Sequence, residues 1–242
     1  MLVQPKQSSV LGLPIHLCDD YVSWLRSRIA GRIGTHVITL NSEMAMLAES
    51  HAELGAIVRK ADLVIPDGSG IVFYLRLRNQ QQNRCPGIEL AASLLESVAA
   101  LEKTGPIVFY GGAPEVAERA ATYWHQQIPS LSIIARHGYL TPKEESEFKT
   151  LLLEKQPCLV LVGLGVPRQE LWICQNRHLC AEATWMGVGG SFDIWSGVKL
   201  RAPSWLRDNH LEWLYRLYQE PWRWRRMLVL PQFALRALRF ER

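Results

Sequence analysis

Ala61-Asp62-Leu63-Val64-Ile65-Pro66-Asp67-Gly68-Ser69-Gly70-Ile71-Val72 is the stretch whose reading decides the fold. It opens with an unbroken run of β-branched and aliphatic residues, the pattern of a buried strand. Pro66 closes the strand, because proline has no N–H to give to a sheet ladder. Asp67 follows at the strand's carboxyl end, where Gly68 and Gly70 let the backbone turn tightly and approach a ligand. An apolar segment from Ile71 to Leu77 then reads as a helix. In open α/β sheets the crevice outside the carboxyl ends of the strands is where ligands bind. Asp67 has two readings on this stretch alone. It caps the next helix, as Asp commonly does, or it is a general base that no neighbouring side chain shields. The cap is the simpler of the two.

Working outward, the same alternation of strand and helix recurs. His36 to Leu40 is a strand, and Asn41 or Ser42 caps a helix running to about Lys60, which completes a βαβ unit. Thr39 and Asn41 therefore sit at a strand's carboxyl end, as Asp67 does. Before this unit, Val10 to Leu17 reads as one short strand. Asp19 and Asp20 open a helix with Tyr21, Trp24, Leu25 and Ile29 on one face.

After it, Arg78 to Asn83 reads as an exposed loop, and Arg84 precedes a helix start. Arg84 is either an ordinary solvated charge or a phosphate clamp. Pro106 to Tyr110 is a strand, and Gly111-Gly112-Ala113-Pro114 turns it into a helix with Pro at its first position. This glycine turn lacks GxGxxG, so a nicotinamide cofactor is not indicated. Leu131 to Ala135 is the next strand. Thr141-Pro142-Lys143-Glu144 is a capping box that starts a helix to about Glu154. Leu159 to Val162 is a fully apolar strand whose exit, through Gly163, Gly165 and Gln169, opens another helix. Thr184 to Val188 is the last strand. The expected fold is α/β, a doubly wound and mainly parallel sheet of Rossmann-like type.

The totals agree with a globular α/β core. The chain has 242 residues, 48% of them hydrophobic, and a formal net charge of +4. That charge is unevenly placed. Residues 201–242 hold nine Arg and four acidic side chains, so they carry +5, and the first 200 residues are close to neutral. Trp205, Trp213, Trp222, Trp224, Tyr215 and Tyr218 fall in the same segment, which reads as short helices broken at Pro221 and Pro231. The expected division is an α/β core over 1–200 and a basic, aromatic helical appendage over 201–242. Removal of the appendage after about Gly197 is expected to leave the core folded. The segment suits helices packed on the core, a nucleic-acid surface, or an anionic membrane surface. The five cysteines are odd in number and form no CxxC, which suits a reducing cytoplasm and gives no metal site. Neither a signal peptide nor a spanning helix is expected.

Ordered blocks along the chain carry a resemblance. They are Thr39-x-Asn41-x-Glu43, Pro66-Asp67-Gly68-x-Gly70, Arg84-x-x-Gly87, Gly111-Gly112-x-Pro114, Gly163-x-Gly165-x-Pro167-x-Gln169-Glu170, Gly187-x-Gly189-Gly190, Arg201-Ala202-Pro203 and Leu211-Glu212-Trp213-x-x-Arg216. Together they resemble the WecG/TagA/CpsF family of bacterial glycosyltransferases over roughly residues 10 to 230. Two departures stand out: Arg168, where the family usually has Lys, and Ser42, where it often has Pro or Ala, which strengthens the cap.

The resemblance implies an inverting glycosyltransferase that needs no metal and no cofactor. It would move an N-acetylmannosamine-type sugar from a UDP donor to an undecaprenyl-diphosphate-linked N-acetylglucosamine acceptor, in teichoic acid or another envelope polysaccharide. It moves Asp67 from cap to base. It assigns Thr39, Asn41, Arg84, Gly111, Gly112, Gln169, Arg216 and Arg223 to substrate binding. Arg226 joins them because Arg216, Arg223 and Arg226 lie at spacings of seven and three, roughly one face of a continuous helix. The resemblance also bears on location and partners. It places the protein in the cytoplasm, peripheral at the inner face of the cell membrane, with no nucleic-acid partner, and leaves open a homo-oligomer. The alternative is a non-catalytic membrane- or nucleic-acid-binding α/β module, which would account for the basic tail but not for the Asp67 block.

Overall fold

The computed structural model describes residues 4–101, 104–209 and 211–239, without the side chains of Arg223 and Arg226. Six parallel strands form one sheet: β3 (Thr35–Leu40), β4 (Leu63–Pro66), β5 (Ile107–Gly111), β6 (Ile133–Arg136), β7 (Leu159–Gly163) and β8 (Thr184–Gly187). Their spatial order is β4-β3-β8-β7-β5-β6, so all six carboxyl ends lie on one edge. The strands read as continuous apolar runs because both faces of the sheet are covered. Along β7, Leu159 and Leu161 face one helical layer, and Val160 and Val162 face the other. The first layer is α1 (Tyr21–Ala30), α5 (Gly87–Ala99) and α6 (Val116–Gln127), joined by Phe192 of α9 (Ser191–Trp195). Opposite lie α2 (Ser42–Ser50), α3 (Ala52–Lys60), α4 (Ser69–Leu77), α7 (Pro142–Lys155) and α8 (Arg168–Asn176). This is the doubly wound arrangement read from the sequence.

Local details differ from the reading. The segment Val10 to Leu17 belongs to a hairpin, not to one strand. β1 (Lys6–Val10) and β2 (Leu13–Leu17) pair antiparallel with Val10 opposite Leu13. The turn residues Leu11 and Gly12 have φ of 50° and 76°, as a two-residue loop of the primed type requires. The hairpin covers the outer edge of β4, where Val64 N donates to His16 Nδ1 at 2.9 Å. The helix expected to run unbroken to Lys60 is interrupted at His51, which ends α2 and accepts Leu54 N at 3.2 Å to start α3. Pro114 does not open α6. That helix begins two residues later, after Glu115 in a left-handed conformation with φ 71°.

The C-terminal segment is helical: α10 (Ser204–Asp208), α11 (Glu212–Gln219), a 3-10 turn (Pro221–Arg223), α12 (Trp224–Met227) and α13 (Val229–Arg239). Pro221 breaks the path as expected, but Pro231 does not. It lies in the first turn of α13, where its missing N–H would have had no helical partner. The end of this segment is not separate from the core. Phe233 and Ala237 are each 2% exposed and pack with Ala45, Ala48, Ile71 and Tyr74 in the cluster beneath α2 and α4.

Candidate active site

Backbone register delivers the first groups of the site. Thr39 pairs with Ile65 and Leu40 with Pro66, so Asn41 and Asp67 leave adjacent strand ends side by side. Asp67 N donates to Leu40 O at 3.0 Å. Asp67 does not cap the helix that follows it; α4 starts at Ser69, with Gly68 in the cap position and no side-chain cap. Its Oδ1 instead accepts the N–H of Gly87, the first residue of α5, at 2.8 Å. Among the described residues Oδ2 has no protein hydrogen-bond partner and is left to take a proton. Burial, the largest influence, pushes the carboxyl above its usual range. The Gly87 N–H and the charges of Arg216 and Arg84 pull the other way, and the charge of Glu212 adds to the rise.

Around Asp67 the packing is close. A Cβ on Gly87 would lie 2.9 Å from Thr39 Cγ2, and one on Gly68 would lie 2.9 Å from Asn41 Cβ. Thr39 is buried, and its hydroxyl donates to Gly187 O at 3.3 Å. Asn41 is the cap of α2, with Oδ1 accepting Met44 N at 2.9 Å. Its amide nitrogen has no protein partner among the described residues. Arg84 enters from the loop before α5 and Arg216 from α11. Both meet Glu212: Arg84 Nη2 donates to Oε2 at 2.8 Å and Arg216 Nη2 to Oε1 at 2.9 Å.

Among the remaining residues, Gly111 and Gly112 stand apart from this group. They lie on the same edge but at β5, roughly 19 Å away at about 4.8 Å per strand. There Gly112 N donates to Gly163 O at 3.1 Å, and the positive φ of both glycines (137° and 72°) suits residues without a side chain. Gln169 is only 1% exposed. It sits behind the glycine turn after β8, where Oε1 accepts Gly189 N at 3.1 Å and Nε2 donates to Glu170 Oε1 at 3.0 Å. Glu170 Oε2 in turn lies 3.1 Å from His36 Nε2, both side chains buried. Arg223 follows Pro221 and Arg226 lies in α12, but their side chains fall outside the described residues.

Sequence reasoning gave no role to Glu212, Glu170, His36 or the Gly87 N–H. A partial signal existed for Glu212, which precedes Arg216 by four residues and so shares its helix face. The other contacts span long separations that no local pattern encodes.

A carboxyl at the carboxyl edge of a doubly wound parallel sheet, with two guanidiniums beside it, lies where α/β proteins bind their ligands, and such groups can accept a proton and pair with an anion. Comparison with known proteins narrows that class. Residues 8–242 match the model of the glycosyl transferase WecG/TagA/CpsF family, and the chain belongs to this family. It is similar to the N-acetylglucosaminyldiphosphoundecaprenol N-acetyl-beta-D-mannosaminyltransferase of Bacillus spizizenii, with 36% identity over 211 residues, 86% of this chain and 80% of the relative. The protein of the same name from Bacillus subtilis is 35% identical over 226 residues, 92% of this chain and 87% of the relative. That of Staphylococcus aureus is 31% identical over 207 residues, 85% and 80% of the two chains.

Proposed function

We propose that this glycosyltransferase moves an N-acetylmannosamine-type sugar from a UDP donor to an undecaprenyl-diphosphate-linked N-acetylglucosamine, with inversion, in cell-envelope polysaccharide synthesis. The observation that carries the chemistry is Asp67, whose Oδ1 is tied to Gly87 and whose pKa is raised by burial. As the acceptor hydroxyl attacks the anomeric carbon, its O–H bond breaks toward Asp67 and a new C–O bond forms. The bond from that carbon to UDP breaks on the opposite side, and its electron pair leaves on the diphosphate. A single displacement of this kind inverts the centre. Arg84 and Arg216 meet the departing charge through N–H groups not given to Glu212; the resemblance adds Arg223, and the spacing along the chain adds Arg226. Thr39 and Asn41 line the sugar side, and Gly111 and Gly112 let the far end of the donor approach the backbone.

With guanidiniums holding the diphosphate, no divalent ion is required, so transfer should proceed undiminished in excess chelator. A strict need for added magnesium or manganese would overturn that part. The substrate assignment is tested by incubating the protein with a panel of UDP-sugars and a short-chain lipid diphosphate acceptor, read by mass spectrometry. UDP release with a disaccharide-lipid product is expected. Absence of turnover together with nucleic-acid binding of steep salt dependence would favour the binding-module alternative.

The acceptor's lipid places the reaction at a membrane surface, at the cytoplasmic face in this reading. No helix among the described residues is long and apolar enough to cross a bilayer. The appendage offers a peripheral mode instead: Trp205 is 62% exposed, Tyr218 81%, Trp222 71% and Trp224 53%, in a segment carrying +5. Aromatic rings at headgroup level with arginines against anionic lipid are the usual means of such attachment.

A further inference from the structure

We infer that Glu212 is a positioning residue that seats the appendage on the active site, by clamping Arg84 of the core and Arg216 of α11 in one ionic bridge beside Asp67. The inference rests on the reading of Asp67 as the base. An exposed carboxylate paired with an arginine four residues on would be an ordinary helix-surface pair of little consequence. Glu212 differs on three counts. It is 8% exposed. Each of its oxygens takes a different guanidinium, at 2.8 and 2.9 Å. One of those guanidiniums lies 128 residues away, in the loop that leads to Gly87. Two adjacent guanidiniums repel, so their shared carboxylate is what allows both to stand next to Asp67.

Each arginine gives Glu212 one of its five N–H groups, which leaves donors for a phosphate. Another tether of the appendage, Arg201 and Arg207 on Glu89, is more exposed. The groups facing Asp67 are Gly87 N–H of α5, Arg84, Arg216 and Glu212. Cys85 is also close, but burial first and the Asp67 charge next push its thiol up to about 12, so it stays neutral.

Glu212→Gln keeps the shape and removes the charge. The donor KM should rise about tenfold or more, the scale of a lost charge-assisted hydrogen bond. The acid limb of kcat/KM should also move to lower pH, because a negative charge that raises the Asp67 pKa has gone. A merely structural role would lower the melting temperature and leave both readouts in place. That result would overturn the inference. Arg84→Gln breaks the same bridge from the core side and covers the case in which Glu212→Gln does not fold. Because Arg84 also meets the diphosphate itself, its loss should raise donor KM at least as much as Glu212→Gln does and non-additively with it; full additivity would overturn the clamp. Asp67→Asn separates the two ideas. If it abolishes transfer while Glu212→Gln has no effect on KM or pH profile, the base stands and the clamp falls. If Asp67→Asn remains active, the base reading falls, and the donor KM of Glu212→Gln still decides the clamp.

Discussion

As the proposed base, Asp67 would carry opposite demands from catalysis and stability. Its folded-state pKa lies above the ordinary carboxyl value, so the folded protein holds the proton more tightly than the unfolded chain does. Stability from this group is therefore present at pH below the ordinary value. It is lost as pH rises through the raised one. Asp67→Asn mimics the neutral form and keeps an oxygen for the Gly87 N–H. The melting temperature at neutral pH should be unchanged or higher, while transfer falls about 10²-fold or more, the scale of a lost general base. A variant of near wild-type rate would return Asp67 to a purely structural role. A second residue-scale test concerns the buried line His36, Glu170, Gln169 and Gly189 N–H. Glu170→Ala leaves the His36 ring and the Gln169 amide without their shared partner. Denaturant unfolding should show a loss of about 1–3 kcal/mol, the cost of an unsatisfied buried polar group, with Glu170→Gln milder. Both cases show how far a sequence can be read. The Pro66-Asp67-Gly68 block marks a strand end with a carboxyl on it, but the partner that fixes Asp67 lies 20 residues on. Glu170 sits in a recognisable block, but nothing local ties it to His36.

Elements were legible wherever periodicity decided them. All six parallel strands were read, because runs such as Leu159 to Val162 permit no half-exposed alternative. The capping box at Thr141 and Glu144 was read at residue level and is present in full. The misses share a cause, which is backbone conformation that side-chain pattern does not specify. Leu11 and Glu115 take positive φ without being glycine, and His51 divides α2 from α3 while remaining compatible with a continuous helix. The contact between the start of α5 and the end of β3 was equally invisible, yet it sets the site. Gly87 has room for no side chain, since its Cβ would lie 2.9 Å from Thr39 Cγ2. Gly87→Ala must therefore push Thr39 aside or draw the N–H away from Asp67. Transfer should fall by at least about tenfold, on the scale of one weakened hydrogen bond to a charged group, in a protein that stays folded. Wild-type kinetics from this variant would mean that the Asp67–Gly87 contact is dispensable.

At the scale of the whole molecule the appendage is anchored at both ends. Arg201 and Arg207 hold Glu89 at the start of α5. At the far end Phe233 fills the core under α2 and α4, Arg236 Nη2 reaches Glu49 Oε2 at 3.3 Å, and Arg78 Nη2 donates to Ala237 O at 3.3 Å. Cutting the chain after Gly197, which composition alone presents as a clean division, would uncover that core. The loss should be no smaller than that of a buried Phe→Ala, about 3–5 kcal/mol, and Phe233→Ala measured by denaturant unfolding tests the point directly. Truncation is then a poor probe of membrane attachment, because lost activity would follow from lost stability. The exposed aromatic residues between the anchors provide a cleaner one. Tyr218, Trp222 and Trp224 stand out from the surface, with the Arg225 guanidinium 5.5 Å from the Trp224 ring. Replacing the three by Ser removes apolar area that the folded core does not use. The melting temperature should stay within a degree or two, since surface changes of this kind seldom exceed about 0.5 kcal/mol. Binding to vesicles rich in anionic lipid should weaken, and what remains should become more salt-sensitive, since each surface-near Arg contributes about 1 kcal/mol of screened attraction. Transfer to an acceptor embedded in such vesicles should fall with it, while transfer to a water-soluble short-chain acceptor is preserved. Equal losses on both acceptors would assign these side chains to the active site instead, and unchanged vesicle binding would remove the membrane role altogether.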